Sequence, residues 1–115
     1  MISTTNRDAI WLQNSHGEIR DGVVVSGTGD NNNPKGIGLT GGSSINIEQG
    51  ATVNGTQNGG SVSGSMHSTI QIQYGSTVSS PVWCGNDNTT IVSLMSSGSN
   101  YSSATIGNNC KTFRN

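Results

Sequence analysis

Apolar and polar residues alternate in short stretches of this chain: Ile10 and Leu12 flank Trp11, and Ile45 and Ile47 flank Asn46. A period of two is the mark of a half-buried strand, so these stretches are read as strands. Each is bounded by segments rich in Gly, Asn and Pro, such as GTGDNNNPKG (27–36), GTQNGG (55–60) and SSGSNYSS (96–103). Such clusters supply positive-φ positions and Asx turns, so the strands are expected to be short and separated by tight corners.

The strand patterns repeat. GEIRDGVVVSG (17–27), INIEQGATVNG (45–55) and IQIQYGSTVSS (70–80) each place Ile, then Gly three residues on, then Val three residues later. The resulting columns are Ile19/Ile47/Ile72, Gly22/Gly50/Gly75 and Val25/Val53/Val78. A shorter motif accompanies them as AIWLQ (9–13), GIGLT (36–40), GSVSG (60–64), PVWCG (81–85) and SATIG (103–107), with starts 27, 24, 21 and 22 residues apart. Two motifs kept in phase at this period predict an all-β fold, a parallel β-helix or β-solenoid of about four coils. The coils are expected over 9–107, with an N-terminal polar extension (1–8) and a C-terminal polar tail or cap (108–115). The inward ladder would comprise Ile10, Leu12, Ile19, Ile37, Leu39, Ile47, Val53, Val62, Ile72, Val78, Val82 and Cys84. In the fourth coil Val92 and Leu94 continue it, while Met95 and Gly98 stand in the Gly and Val columns.

Composition sharpens this picture. Gly, Ser, Thr and Asn together fill 61 of 115 positions, 17, 18, 12 and 14 respectively, and these are poor helix-interior residues. With 10% charged residues and a formal net charge of −1, neither nucleic-acid binding nor charge-driven disorder is expected. No apolar stretch approaches the roughly 20 residues of a spanning helix, so no membrane insertion is expected. The N-terminal residues lack the basic and apolar segments of a secretory signal. Cys84 and Cys110 form neither a CxxC pair nor a Cys/His metal spacing, so free thiols and cytosolic synthesis are expected, with Cys84 an inert core thiol. Phosphate-cradling glycine motifs are missing as well, and neither cofactor nor metal is expected.

The phrase DAIWLQNSHGEIRDGVVVSGTG (8–29), followed by GIGLTGGSSINIEQGATVNG (36–55), resembles the right-handed parallel β-helix of bacteriophage tailspikes and related pectin-lyase-like proteins. The likeness spans roughly residues 8–107 and rests on fold-level patterns shared by lyases, glycanases, adhesins and stalks. It implies a right-handed, homotrimeric solenoid in a tailspike or tail fibre, contacting bacterial surface polysaccharide. The chain would join the rest of a longer tailspike or another virion protein, and would reside in the virion tail after cytoplasmic synthesis, or else on a bacterial cell surface. A polysaccharide-degrading enzyme of the same fold and a purely structural stalk or adhesin segment are the alternatives. A short solenoid also exposes strand edges at its ends, which independently favours association with identical copies.

In the short-motif alignment Trp11, Gly38, Ser63, Trp83 and Thr105 share one outward column. That sets the two indoles three coils apart, roughly 14 Å at ~4.8 Å per coil. Sugar rings stack on indoles while nearby Ser63 and Asn46 bond hydroxyls, so Trp11, Trp83, Ser63 and Asn46 are the candidate carbohydrate-binding residues. The competing expectation is that both Trp pack in a subunit contact. Hydrolysis needs two carboxyl groups about 5–9.5 Å apart, for which Asp21, Glu48 and Glu18 are the candidates. Arg20 and Glu48, one coil apart in a shared column, are expected to form an exposed ion pair instead.

Overall fold

The computed structural model describes all 115 residues and contains thirteen strands and no helix. Three parallel sheets form its faces. Sheet A orders β1 (Ile2–Thr5), β4 (Val24–Thr28), β7 (Thr52–Asn54) and β10 (Thr77–Val78). Sheet B orders β2 (Ile10–Gln13), β5 (Ile37–Thr40), β8 (Val62–Gly64) and β11 (Val82–Cys84). Sheet C orders β3 (His16–Ile19), β6 (Ser44–Ile47), β9 (Thr69–Gln73), β12 (Ile91–Met95) and β13 (Lys111–Arg114). The chain visits B, C and A in turn, so each sheet gains one strand per coil as far as β12, after which only the Ile106 bridge to sheet B and β13 of sheet C follow. The protein is a β-solenoid of about four coils, and the ladders extend beyond the repeats to take in residues 2–5 and 111–114.

Register reproduces the sequence columns. Ile19, Ile47, Ile72 and Leu94 stack in sheet C, and Ile2, Val25, Val53 and Val78 in sheet A. Ile10, Ile37, Val62 and Val82 stack in sheet B. Like apolar residues thus lie over like, and the core is a set of ladders one side chain wide, in which Ile37, Ile47, Val53, Ile72 and Val92 are fully buried. A thin core of this kind needs few apolar residues, which is how a chain with 30% of them can fold.

The glycine column has a local cause. Gly22, Gly50 and Gly75 have φ of 82°, 86° and 90°, conformations that side chains with a Cβ rarely adopt. A Cβ at Gly50 would come 1.8 Å from Asp21 Oδ1, and one at Gly75 would come 2.7 Å from Gln49 Cγ. Gly50 and Gly75 therefore let the C-to-A corner of the coil before them rest directly above, while Gly22, in the first such corner, has only its positive φ to satisfy.

Corner lengths explain the drifting period. After a short first corner at 6–9, the A-to-B corner spans 29–36 and 55–61 and then shrinks to 79–81. The B-to-C corner lengthens from 14–15 through 41–43 and 65–68 to 85–90. The ledges thus lie at the A–B corner in the first half of the solenoid and at the B–C corner in the second.

Two expectations are corrected. Cys84 and Cys110 are not free thiols: they form a disulfide (Cα–Cα 5.2 Å), and no free cysteine remains. Cys84 ends β11 and Cys110 immediately precedes β13, one coil later, so stacking brings together residues 26 apart in sequence. Thr105 does not continue the Trp column. Ile106 bridges Val82, so Gly107 lies beside Trp83, two positions later than the motif alignment puts it. The final coil follows the longest B–C corner, and the apolar side chain available to cover Val82 is Ile106, while Ala104 is too small.

Candidate functional site

Sheet B carries the tryptophan column. Trp11 pairs with Gly38, Gly38 with Ser63, and Ser63 with Trp83, so the two indoles project from one face three ladder steps apart. Their inward neighbours Ile10, Leu12 and Val82 anchor the strands in the core, and strand alternation turns Trp11 and Trp83 outward. Trp11 is 56% exposed, and Trp83 is half-buried.

Each indole has a glycine bed on the following coil. A Cβ at Gly38 would come 2.5 Å from Trp11 Cε3, and one at Gly107 would come 2.7 Å from Trp83 Cε3. Both rings lean along the solenoid axis in the same sense, so the three-coil offset is kept. Trp11 covers Gly38, which leaves Ser63 as the open small residue between the platforms. Trp83 is held more firmly: its Nε1–H donates to the Gln57 carbonyl at 3.1 Å, and its Cδ1 lies 2.7 Å from where a Gly60 Cβ would stand. The tight 55–60 loop, closed by a Thr56–Gly60 bridge, is the ledge against which it rests.

Charge on this face is balanced. Asp8 accepts from the Lys35 N–H at 2.9 Å, and its other oxygen lies 4.0 Å from Lys35 Nζ. The remaining outward residues of sheet B are Gln13, Thr40 and Ser63. There is no enclosed pocket, and the face is an open, shallow surface.

Asn46 belongs to another face. It lies in sheet C, paired with Glu18 on one side and Gln71 on the other, and its Oδ1 accepts from Gln73 Nε2 at 3.3 Å. The four carbohydrate-binding candidates therefore divide, with Trp11, Ser63 and Trp83 together on sheet B and Asn46 apart.

The carboxylates converge on a cation. Arg20 Nη2 lies 3.9 Å from Glu18 Oε2, and Arg20 Nε lies 3.7 Å from Glu48 Oε2, so the expected Arg20–Glu48 pair is present and is shared with Glu18. His16 Nε2 lies 3.9 Å from Glu18 Oε2. Asp21 sits at the C–A corner above Gly50 and takes no part in those ion pairs. No three His, Cys, Asp or Glu side chains gather as a metal site would require.

One carboxylate that the sequence reading passed over is structurally engaged. Asp87, in the 85–90 corner, has its pKa lowered first by the Thr89 N–H and then by the Thr89 hydroxyl. Slight desolvation opposes them, and the Met66 N–H and the charge of His67 add to the lowering. Its oxygens accept from Met66 N at 3.0 Å and Thr89 N at 3.2 Å, which pins two successive corners together. Compared with family models, curated proteins and solved structures, the chain matches none.

Proposed function

We propose that this chain is a glycan-binding β-solenoid of the kind found in phage tailspikes and tail fibres, and that it attaches to bacterial surface polysaccharide through sheet B. The observation that carries this reading is the outward pair Trp11 and Trp83, three coils apart with Ser63 open between them. Indoles stack on the apolar faces of sugar rings, and about three rings fit the interval. Asp8 and Lys35 neutralise each other, so the surface suits an uncharged glycan. The polar corners and unpaired end strands favour a homotrimer within a longer tail protein.

Binding and structural attachment fit better than catalysis. Glu18 and Glu48 are both drawn to Arg20, so neither is free to act with Asp21, above Gly50, as an acid and base pair. The test is calorimetry against neutral bacterial polysaccharides, with Trp11→Ala/Trp83→Ala as comparison. The double variant is expected to bind roughly ten- to a hundredfold more weakly, from about 0.5–1.5 kcal/mol per aromatic contact. Equal binding by both proteins overturns the proposal and leaves a structural segment. New reducing ends in the incubated glycan would turn it toward an enzyme. Light scattering at the mass of one chain would remove the trimer.

A further inference from the structure

The Cys84–Cys110 bond lies directly behind the Trp83 platform, and we propose that it is the positioning element of that indole, making the sheet B surface redox-sensitive. The link to glycan binding rests on the reading above; the link to Trp83 does not.

The contacts run in a short chain. Cys84 is the residue after Trp83 and ends β11. Its disulfide partner Cys110 begins the final coil and donates its N–H to the Gly107 carbonyl at 3.3 Å. Gly107 in turn donates its N–H to the Val82 carbonyl at 2.8 Å, and Ile106 bridges Val82. This places Gly107 beneath the six-membered ring of Trp83, where even a Cβ would come 2.7 Å from Cε3. The bed of the indole is therefore a turn, residues 106–110, closed by the Cys110–Gly107 hydrogen bond and tied to β11 by the Ile106–Val82 bridge, with its Gly107–Val82 hydrogen bond, and by the disulfide. Beyond Cys110, β13 rests on β12 alone, and Lys111, Phe113 and Arg114 are exposed. The apolar side chains of this last coil, Tyr101, Ala104 and Ile106, pack on the core but are only partly buried, so the covalent tie is a large share of what holds it. Trp11 has no such device: its bed, Gly38, lies within β5 and is held on both sides by the ladder.

Both cysteines are half-buried, within reach of a small reductant. A dithiol cleaves the S–S bond by exchange: its two thiols become a cyclic disulfide, and the two electrons and two protons pass to Cys84 and Cys110 as thiols. The turn is then held to β11 by its backbone bridge alone and can shift, and Trp83 keeps its Nε1–H bond to Gln57 and its rest against the 55–60 loop. The structure thus joins a redox-labile tie to one end of the tryptophan pair and not to the other.

The test uses Trp11→Phe, which leaves Trp83 as the single indole. Emission and acrylamide quenching are measured before and after dithiothreitol, with circular dichroism and mass spectrometry confirming β-structure and the gain of two hydrogens. Reduction is expected to red-shift the emission and raise the quenching constant while the β-sheet signal persists. Gly107→Ala in the same background, with the disulfide intact, is expected to give the same change by pushing the ring off its bed. Where the wild-type chain binds a glycan, reduction is expected to weaken binding about three- to tenfold, the share of one aromatic platform. Unchanged emission and quenching in fully reduced protein overturns the proposal. Loss of the β-sheet signal on reduction also overturns it, because the bond would then hold the whole solenoid rather than the platform. If the fluorescence responds but no glycan binds either form, the proposed function fails and the positioning role stands.

Discussion

The two ends of the solenoid are built differently. At the N-terminal end the inward ladders stop in open apolar side chains: Ile10 and Leu12 are only half-buried, and Ile2, in the inward column above Val25, is 44% exposed. β2 and β3 present unpaired edges there, and β1 extends sheet A alone one step further. At the C-terminal end Val82, Val92 and Leu94 are buried because a further turn of chain lies over sheets B and C, while sheet A ends at β10 with Val78 half-buried. Ile106 covers Val82, and β13 covers β12 with Thr112 and Arg114 in the columns that Val92 and Leu94 occupy one coil earlier. Arg114 sits 5.9 Å from the Tyr101 ring centroid, and the disulfide ties the closing turn to β11. Polar residues at inward positions, an aromatic lid and a covalent tie mark a cap. The N-terminal end has neither covalent tie nor aromatic lid, and its edge strands β1, β2 and β3 are all open to further β-structure.

The sharpest way to break this contrast is to shorten matching leucines at the two ends. Leu94→Ala empties a buried site under the cap and is expected to lower the unfolding free energy by about 2–5 kcal/mol. Leu12→Ala, at the open end, removes a side chain already half in water and is expected to cost about 1–2 kcal/mol. Urea denaturation measures both. Equal losses would mean that the N-terminal end is covered in solution, as association of copies through that end would produce.

Most of this architecture was legible in the sequence. The Ile19/Ile47/Ile72 and Val25/Val53/Val78 columns are real ladders because each coil needs an apolar residue at the same inward point, and that need repeats in the chain. The tryptophan column was legible for the same reason. The last coil was not, because its corner length changed: aligning SATIG by likeness put Thr105 where Gly107 stands. The disulfide was missed although its signal was present, since a 26-residue separation is one coil of the repeat. Asn46 was grouped with the tryptophans because outward orientation was readable but the choice of face was not; three sheets alternate inward and outward alike. The shared pairing of Glu18 and Glu48 with Arg20 depends on how three long side chains converge, which backbone periodicity does not encode.

A second difference between the ends lies in the B–C corners. Ser43 Oγ donates to the Thr40 carbonyl at 2.7 Å and Ser68 Oγ to the Ser65 carbonyl at 2.6 Å, so each buried hydroxyl is satisfied three residues back. Thr90 ends the longer 85–90 corner, and its Oγ1 is buried with no partner. An unsatisfied buried hydroxyl is unfavourable by about 1–3 kcal/mol. Thr90→Val keeps the shape and removes the orphan, and is expected to stabilise by about 1 kcal/mol in the same urea assay. Ser68→Ala, which leaves the Ser65 carbonyl without its donor, is expected to destabilise. Destabilisation by Thr90→Val would mean that a hydrogen bond reaches Thr90 after all and that the two halves of the corner stack are alike.

The smallest expected effect is one of pH, and it too belongs to the later corners. Asp87 ties the 85–90 corner to the 65–68 corner through the Met66 and Thr89 N–H groups, whereas the early corners, 14–15 and 41–43, contain no carboxylate. Its pKa is lowered below the ordinary value of 3.8, led by the Thr89 N–H. A carboxyl depressed on folding stabilises the fold fully above its unfolded value and ceases to do so as pH falls through the folded one. Asp87 is fully exposed, so the change is small and is best followed locally. Amide exchange at Met66 and Thr89 is expected to quicken, relative to the acid dependence of the exchange chemistry itself, as pH is lowered from 5 to below 3.8, while Ser15 and Ser43 show no such excess. Asp87→Asn is expected to remove that pH dependence, since the amide does not titrate, although its one oxygen replaces only one of the two carboxylate oxygens that accept from Met66 and Thr89. Excess exchange of equal size at Ser15, or its persistence in Asp87→Asn, would mean that acid loosens the solenoid as a whole and that the later corners carry no pin of their own.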